Sequence, residues 1–161
     1  MSNDRRLTVS RTLAAPPERV FGVLADPGRH TELDGAGMLR GLEDGPRPVT
    51  AAGQAFVMNM NQGRLGDYRM RNMVVEFEAN RRIVWAPSIY PPGSLARFIG
   101  DADPSGHIYR WELVPTSDGG TEVTHVYDWN GVKDPNALKF YPRVSVEQLE
   151  GTLDRLDAAT R

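Results

Sequence analysis

The sequence predicts an α+β fold in which a curved, seven-stranded antiparallel sheet wraps a long C-terminal helix, with two short helices after the first strand. Three observations carry this expectation. Seven segments are patterned as half-buried strands, and most are parted by Gly, Pro, Asn or Asp turn signals. The final segment repeats apolar residues at three- and four-residue spacing, which marks an amphipathic helix. That helix needs an apolar partner, and the inner face of the sheet is the surface available.

Leu7 to Leu13 alternates Leu7, Val9 and Leu13 with Thr8, Ser10 and Thr12, so it reads as the first strand. Pro16 and Pro17 suit the start of a helix, where a missing N–H costs nothing. Glu18 sits in the first turn, where negative charge favours the helix dipole, and Val20, Phe21 and Leu24 form the buried side. Asp26-Pro27-Gly28 ends that helix, and a second short one covers Arg29 to Leu33. Strands follow at Met38–Leu42, Gln54–Asn61, Gly66–Glu78, Arg82–Ala86, His107–Pro115 and Thr121–Trp129. In the long strand, Arg69 and Arg71 face out in the first half and Glu76 and Glu78 in the second. Those parities conflict, which predicts a bulge or strong bend near Asn72-Met73. Pro87 to Ser105 reads as a long connection with a helical turn near Leu95–Ile99, either a lid or a surface excursion. Pro142 is placed in the first turn of the last helix, with Val146, Leu149, Leu153 and Leu156 on its buried side.

One helix does not cover the whole inner face of so curved a sheet, so the uncovered apolar surface lines a cavity. Strand parity assigns the wall. Tyr68 and Met70 point in from the long strand, Trp85 from the next, and Tyr109 and Trp111 from the sixth. His125, Tyr127 and Trp129 follow on the seventh, Leu149 joins from the helix, and Asn59 or Asn72 supplies a polar tip. Each aromatic taken alone also reads as core filling. Together they present phenol and indole groups that need partners when buried.

Several stretches resemble a known family. APPERVFGVLADPGRHTELDG is similar to the opening of the SRPBCC superfamily, the helix-grip proteins that include START lipid-transfer domains and pollen-allergen-like proteins. NMVVEFEANRRIVWAP, HIYRWELVP and GGTEVTHVYDWNG resemble strands of its polyketide cyclase/dehydrase-like branch. The resemblance covers nearly the whole chain, 1–161, as one domain, and is weakest over Pro87–Ser105. The tryptophan common after the first short helix is absent, the stretch reading His30-Thr31-Glu32-Leu33-Asp34. The resemblance implies a helix-grip fold with a START-like pocket for hydrophobic ligands.

The composition excludes several chemistries. A formal net charge of −2 and scattered basic residues argue against nucleic-acid binding. The chain has no cysteine, so disulfides and thiolate chemistry are absent. The three histidines, His30, His107 and His125, lack metal-ligand spacing. Gly35-Ala36-Gly37 lacks the strand–turn–helix setting of a dinucleotide site, so no cofactor is expected. No apolar run is long enough to span a membrane, and no apolar leader stands at the start, so a cytoplasmic location is expected. A homodimer stays open.

The expected partner is therefore a small hydrophobic or aromatic molecule. One alternative is a polyketide cyclase or dehydratase acting on a carbonyl compound, with His125 as acid or base and Tyr127 as oxyanion donor. The plainer reading of His125 is a hydrogen-bonded structural residue. Asp128 points outward by parity, so a His–Asp relay is not expected. Arg11 shares the inward parity and serves either as an anion anchor in the pocket or as an edge residue. A further alternative is a regulatory or partner-binding domain.

Overall fold

The structure is a computed structural model that describes residues 4–161; residues 1–3 of the expected domain lie outside the described residues. Alternating segments form seven strands: β1 (Arg6–Leu13), β2 (Leu39–Asp44), β3 (Ala55–Gln62), β4 (Gly66–Glu78), β5 (Arg82–Tyr90), β6 (Ile108–Pro115) and β7 (Thr121–Asp128). They make one antiparallel sheet in the order β1-β7-β6-β5-β4-β3-β2. The helices are α1 (Pro17–Leu24), α2 (His30–Leu33), α3 (Ala96–Ile99), α4 (Pro135–Leu138) and α5 (Val146–Thr160). The fold is the expected helix-grip arrangement, with α5 packed against β1, α1 and α2.

The start of α5 lies later than Pro142. Ser145 is its N-cap: the Ser145 hydroxyl accepts from the Gln148 N–H, and the Gln148 side chain accepts from the Ser145 N–H. This reciprocal box satisfies two backbone donors that the first turn otherwise leaves unpaired. Leu149, Leu153 and Leu156 then form the buried stripe. Leu153 and Leu156 join the core with Leu13, Val20, Leu24, Ile83, Leu113 and Val123. Gly35 lets the end of α2 approach α5 closely, because a Cβ there would run into the Gln148 carbonyl and Thr152.

The parity change in β4 is real but falls at Val75, not at Asn72-Met73. Val74 pairs with Trp85 and Glu76 with Val84, which leaves Val75 as the extra residue. The bulge keeps Tyr68, Met70, Asn72 and Val74 inward and turns Glu76 outward to Arg82 and Arg110. β5 also runs past Ala86 to Tyr90 and includes Pro87. It pairs with β6 only from Arg82 to Trp85, so the edge beyond is unpaired and a proline is tolerated there. The long connection therefore begins after Tyr90, and its helical turn is α3, Ala96–Ile99.

Candidate ligand cavity

The gap between sheet and α5 encloses a cavity of about 710 Å³. Its walls follow the period of two on each strand. Phe56, Met58 and Met60 come from β3, and Tyr68, Met70 and Asn72 from β4. Trp85, Pro87 and Ile89 come from β5, Tyr109 and Trp111 from β6, and His125 and Tyr127 from β7. Leu149 and Thr152 of α5 form the opposite wall, and Leu95, Phe98 and Ile99 of the long connection border one end. The cavity reaches the surface where its wall includes the exposed residues Arg64, Ser105 and Arg143.

The wall has two textures. On β3 and β4 it is rich in methionine: Met58, Met60 and Met70, with Met38 nearby, are four of the six in the chain. Methionine is unbranched and polarizable, so that side adapts to irregular shapes. On β6 and β7 it is a rigid aromatic ladder built from directly opposed residues. Trp111 and His125 stack with ring centroids 3.6 Å apart, Tyr109 and Tyr127 at 4.9 Å, and Tyr109 and His125 at 5.9 Å.

All three histidines line this cavity, and each is buried. A carbonyl oxygen only accepts, so the ring nitrogen facing it carries the proton. His30 Nε2 donates to the Leu24 carbonyl at 2.8 Å, and His125 Nδ1 donates to the Arg110 carbonyl at 3.0 Å. The Tyr141 hydroxyl donates its one proton to the Pro104 carbonyl at 2.6 Å and accepts from His107 Nδ1 at 3.0 Å. Burial holds His107 and His125 down at about 4 and lowers His30 as well. All three rings are therefore neutral near pH 7, and each keeps one nitrogen with a free lone pair.

The phenols divide by where their protons go. The Tyr68 hydroxyl donates to Gln62 Oε1 at 3.1 Å. The Tyr127 oxygen accepts from the Arg143 backbone N–H at 3.1 Å, which leaves its own proton unspent. The Tyr109 hydroxyl makes no hydrogen bond to the protein among the described residues. Burial pushes Tyr127 up to about 12 and Tyr109 well above its ordinary value, so both stay protonated as donors.

Two expected wall residues lie elsewhere. Asn59 has the parity opposite to Met58 and Met60 and is not part of the wall. Trp129 lies just beyond the end of β7 and packs on Tyr127, with centroids 5.2 Å apart. Arg11 is not in the wall either; it pairs with Asp154 and Asp157 on α5. His125 bonds to a backbone carbonyl and meets Tyr109 face to face, so the two phenols beside it do not hold its nitrogens. The parity of Met58 and Met60 was visible in the alternation around Asn59, whereas His30, Tyr141 and Arg143 carry no periodic signal. Among the described residues no group of three His, Cys, Asp or Glu side chains is placed to hold a metal ion. No helix among the described residues is long and apolar enough to cross a membrane.

Comparison with known proteins gives the same picture of the chain as a whole. A family model described as polyketide cyclase / dehydrase and lipid transport matches residues 4–161. The uncharacterized protein Rv0088 of Mycobacterium tuberculosis is 31% identical over 157 residues, covering 94% of this chain and 62% of its own. The chain thus spans less than two thirds of the length of that relative. Among solved structures, protein Ms6760 from Mycobacterium smegmatis superposes with a TM-score of 0.67 at 16% identity, covering 97% of this chain and 90% of its own. Protein CV1439 from Chromobacterium violaceum has a TM-score of 0.62 at 20% identity, covering 97% and 96%. At these identities the likeness bears on the fold.

Proposed function

We propose, because the chain belongs to the polyketide cyclase/dehydrase and lipid transport family, that its cavity binds a small hydrophobic or aromatic molecule. The observation that carries this reading is the cavity itself, about 710 Å³ of space walled mostly by apolar and aromatic side chains. That volume falls within the roughly 300–1,000 Å³ of ordinary small-molecule sites. The aromatic ladder offers flat faces for stacking, and the methionine side adjusts to the rest of the ligand.

The test is binding of the neutral dye N-phenyl-1-naphthylamine, read by fluorescence, together with native mass spectrometry for a co-purifying small molecule. Met60→Trp fills the cavity from β3 and should remove the dye signal while the protein still unfolds cooperatively. A wild-type protein that takes up neither dye nor any small molecule would sink the reading.

A second reading, cyclase- or dehydratase-type chemistry on a carbonyl compound, is favoured by the free Nε2 of His125 in the cavity wall. A ring held near 4 is unprotonated at pH 7, so it would act as a proton acceptor and not as an acid. His125→Asn keeps an N–H for the Arg110 carbonyl and should abolish turnover without abolishing dye uptake. The partner-binding alternative calls for a broad apolar outer patch. The exposed large apolar side chains Val75, Tyr90, Phe98, Val114 and Val146 sit on five separate elements.

A further inference from the structure

The charged side chains in the cavity wall are Asp34, Arg64 and Arg143. Asp34 is already committed: its two carboxylate oxygens accept from the Ala36 N–H at 3.0 Å and the Leu39 N–H at 2.6 Å. Both arginines are exposed, which places them where the cavity meets solvent. Neither has a carboxylate within ion-pair reach among the described residues, whereas Arg69, Arg82 and Arg110 on the outer face of the sheet all do.

Both connect to the part of the wall around Tyr68. Arg64 belongs to the turn Gly63–Leu65 that follows Gln62, and Gln62 holds the Tyr68 hydroxyl. The positive charge of Arg143 acts on Tyr68, on Tyr127 and on Tyr141. Tyr127 accepts from the Arg143 backbone N–H and still has its phenolic proton to donate. Guanidinium groups with no carboxylate partner and a phenol with an unspent proton are hydrogen-bond donors still open to an acceptor, and the complement to such a set is an anion.

We propose that the ligand is an amphiphile whose apolar body fills the cavity and whose single anionic head, a carboxylate or a phosphate monoester, is held at the mouth by Arg143 and Arg64. This inference rests on the proposed ligand cavity and adds the charge of what occupies it. The buried interior is neutral, so an anion is accommodated only at the arginine end, and that fixes which way round the ligand lies.

The experiment is displacement of bound N-phenyl-1-naphthylamine by dodecanoate, monododecyl phosphate and dodecan-1-ol, which share one chain length. Dodecanoate or the phosphate should displace the dye at roughly tenfold lower concentration than the alcohol, and the stronger of the two identifies the head group. The ratio of anion to alcohol should fall toward one in Arg143→Gln and further in the double variant with Arg64→Gln. A ratio is read so that a general loss of affinity does not imitate the effect. In wild type the preference should also shrink as salt is raised, because exposed charges are screened. Equal displacement by alcohol and anions, or a preference that survives in the double variant, overturns the proposal while leaving the cavity reading intact. A protein that never binds the dye overturns both.

Discussion

Acidification from pH 7.5 to 5 should destabilise this protein through its buried histidines. An unfolded histidine titrates near 6.5, whereas burial holds His107 and His125 at about 4. Above 6.5 the rings are neutral in both states and contribute no pH dependence. As the pH falls below 6.5 the unfolded chain binds protons that the folded chain does not, so stability declines until the pH reaches the folded value near 4. At pH 5 the linkage amounts to about 2 kcal/mol for each ring and about 4 kcal/mol for both. His30, lowered in the same direction, adds to the loss. For a chain of this size that corresponds to a fall in Tm of roughly 8–16 °C. Asp26, Glu32, Asp103 and Asp118 are also lowered, but from ordinary values of 3.8 to 4.5, so their contributions are lost below this window. The assay is thermal unfolding at pH 7.5, 6.5, 5.5 and 5.0 on wild type and on the double variant His107→Asn, His125→Asn. Asparagine keeps a donor for Tyr141 and for the Arg110 carbonyl without a titrating ring. The double variant should lose much less stability across this range. A wild type whose Tm is flat across it, or a double variant with the same slope, refutes the protonation states assigned to the cavity wall.

Leu156→Ala should cost about 3–5 kcal/mol, because Leu156 is fully enclosed in the core. Leu149→Ala should cost nearer 2 kcal/mol in urea unfolding, since that side chain already borders open space and has fewer contacts to lose. Ser145→Ala removes the cap of α5 and should lower stability by about 1 kcal/mol in the same assay. Gly35→Ala should destabilise by about 2 kcal/mol or more, as the new methyl forces α2 away from Gln148 and Thr152.

The fold was legible because its strands expose one face and bury the other. The bounds of β4 are those expected from its alternation, Gly66–Glu78. The bulge was harder to place for a definite reason. Arg71 and Glu76 both face out, so the extra residue lies somewhere between them, and only pairing with β5 selects Val75. Pro87 is a reliable strand stop when both edges are paired, and it misleads where the β6 side of β5 is open. Asn59 suggested a polar tip by its chemistry, but its neighbours Met58 and Met60 take the inward positions. His125 and Tyr127 have inward parity that the alternation of β7 makes plain. Which nitrogen carries the proton depends on the Arg110 carbonyl, which belongs to another strand. Arg64 and Arg143 sit in connections, where no period marks a direction.

The short ladder between β5 and β6 has a mechanical consequence. Four residue pairs, Arg82–Trp85 with Glu112–Tyr109, make up the ladder between the methionine side of the sheet and the aromatic side, extended by one backbone bond from the Leu113 N–H to the Arg81 carbonyl. The sheet is thus two plates meeting at a narrow seam, with the cavity on the concave side of the joint. A small change of angle at the seam would widen or narrow the space between the plates while every other ladder stays intact. The open edge beyond Trp85 leaves room for the long connection, so its length can change without disturbing a strand. If the proposed ligand binds there, the aromatic plate would serve as its template and the methionine plate as the side that adjusts to its size.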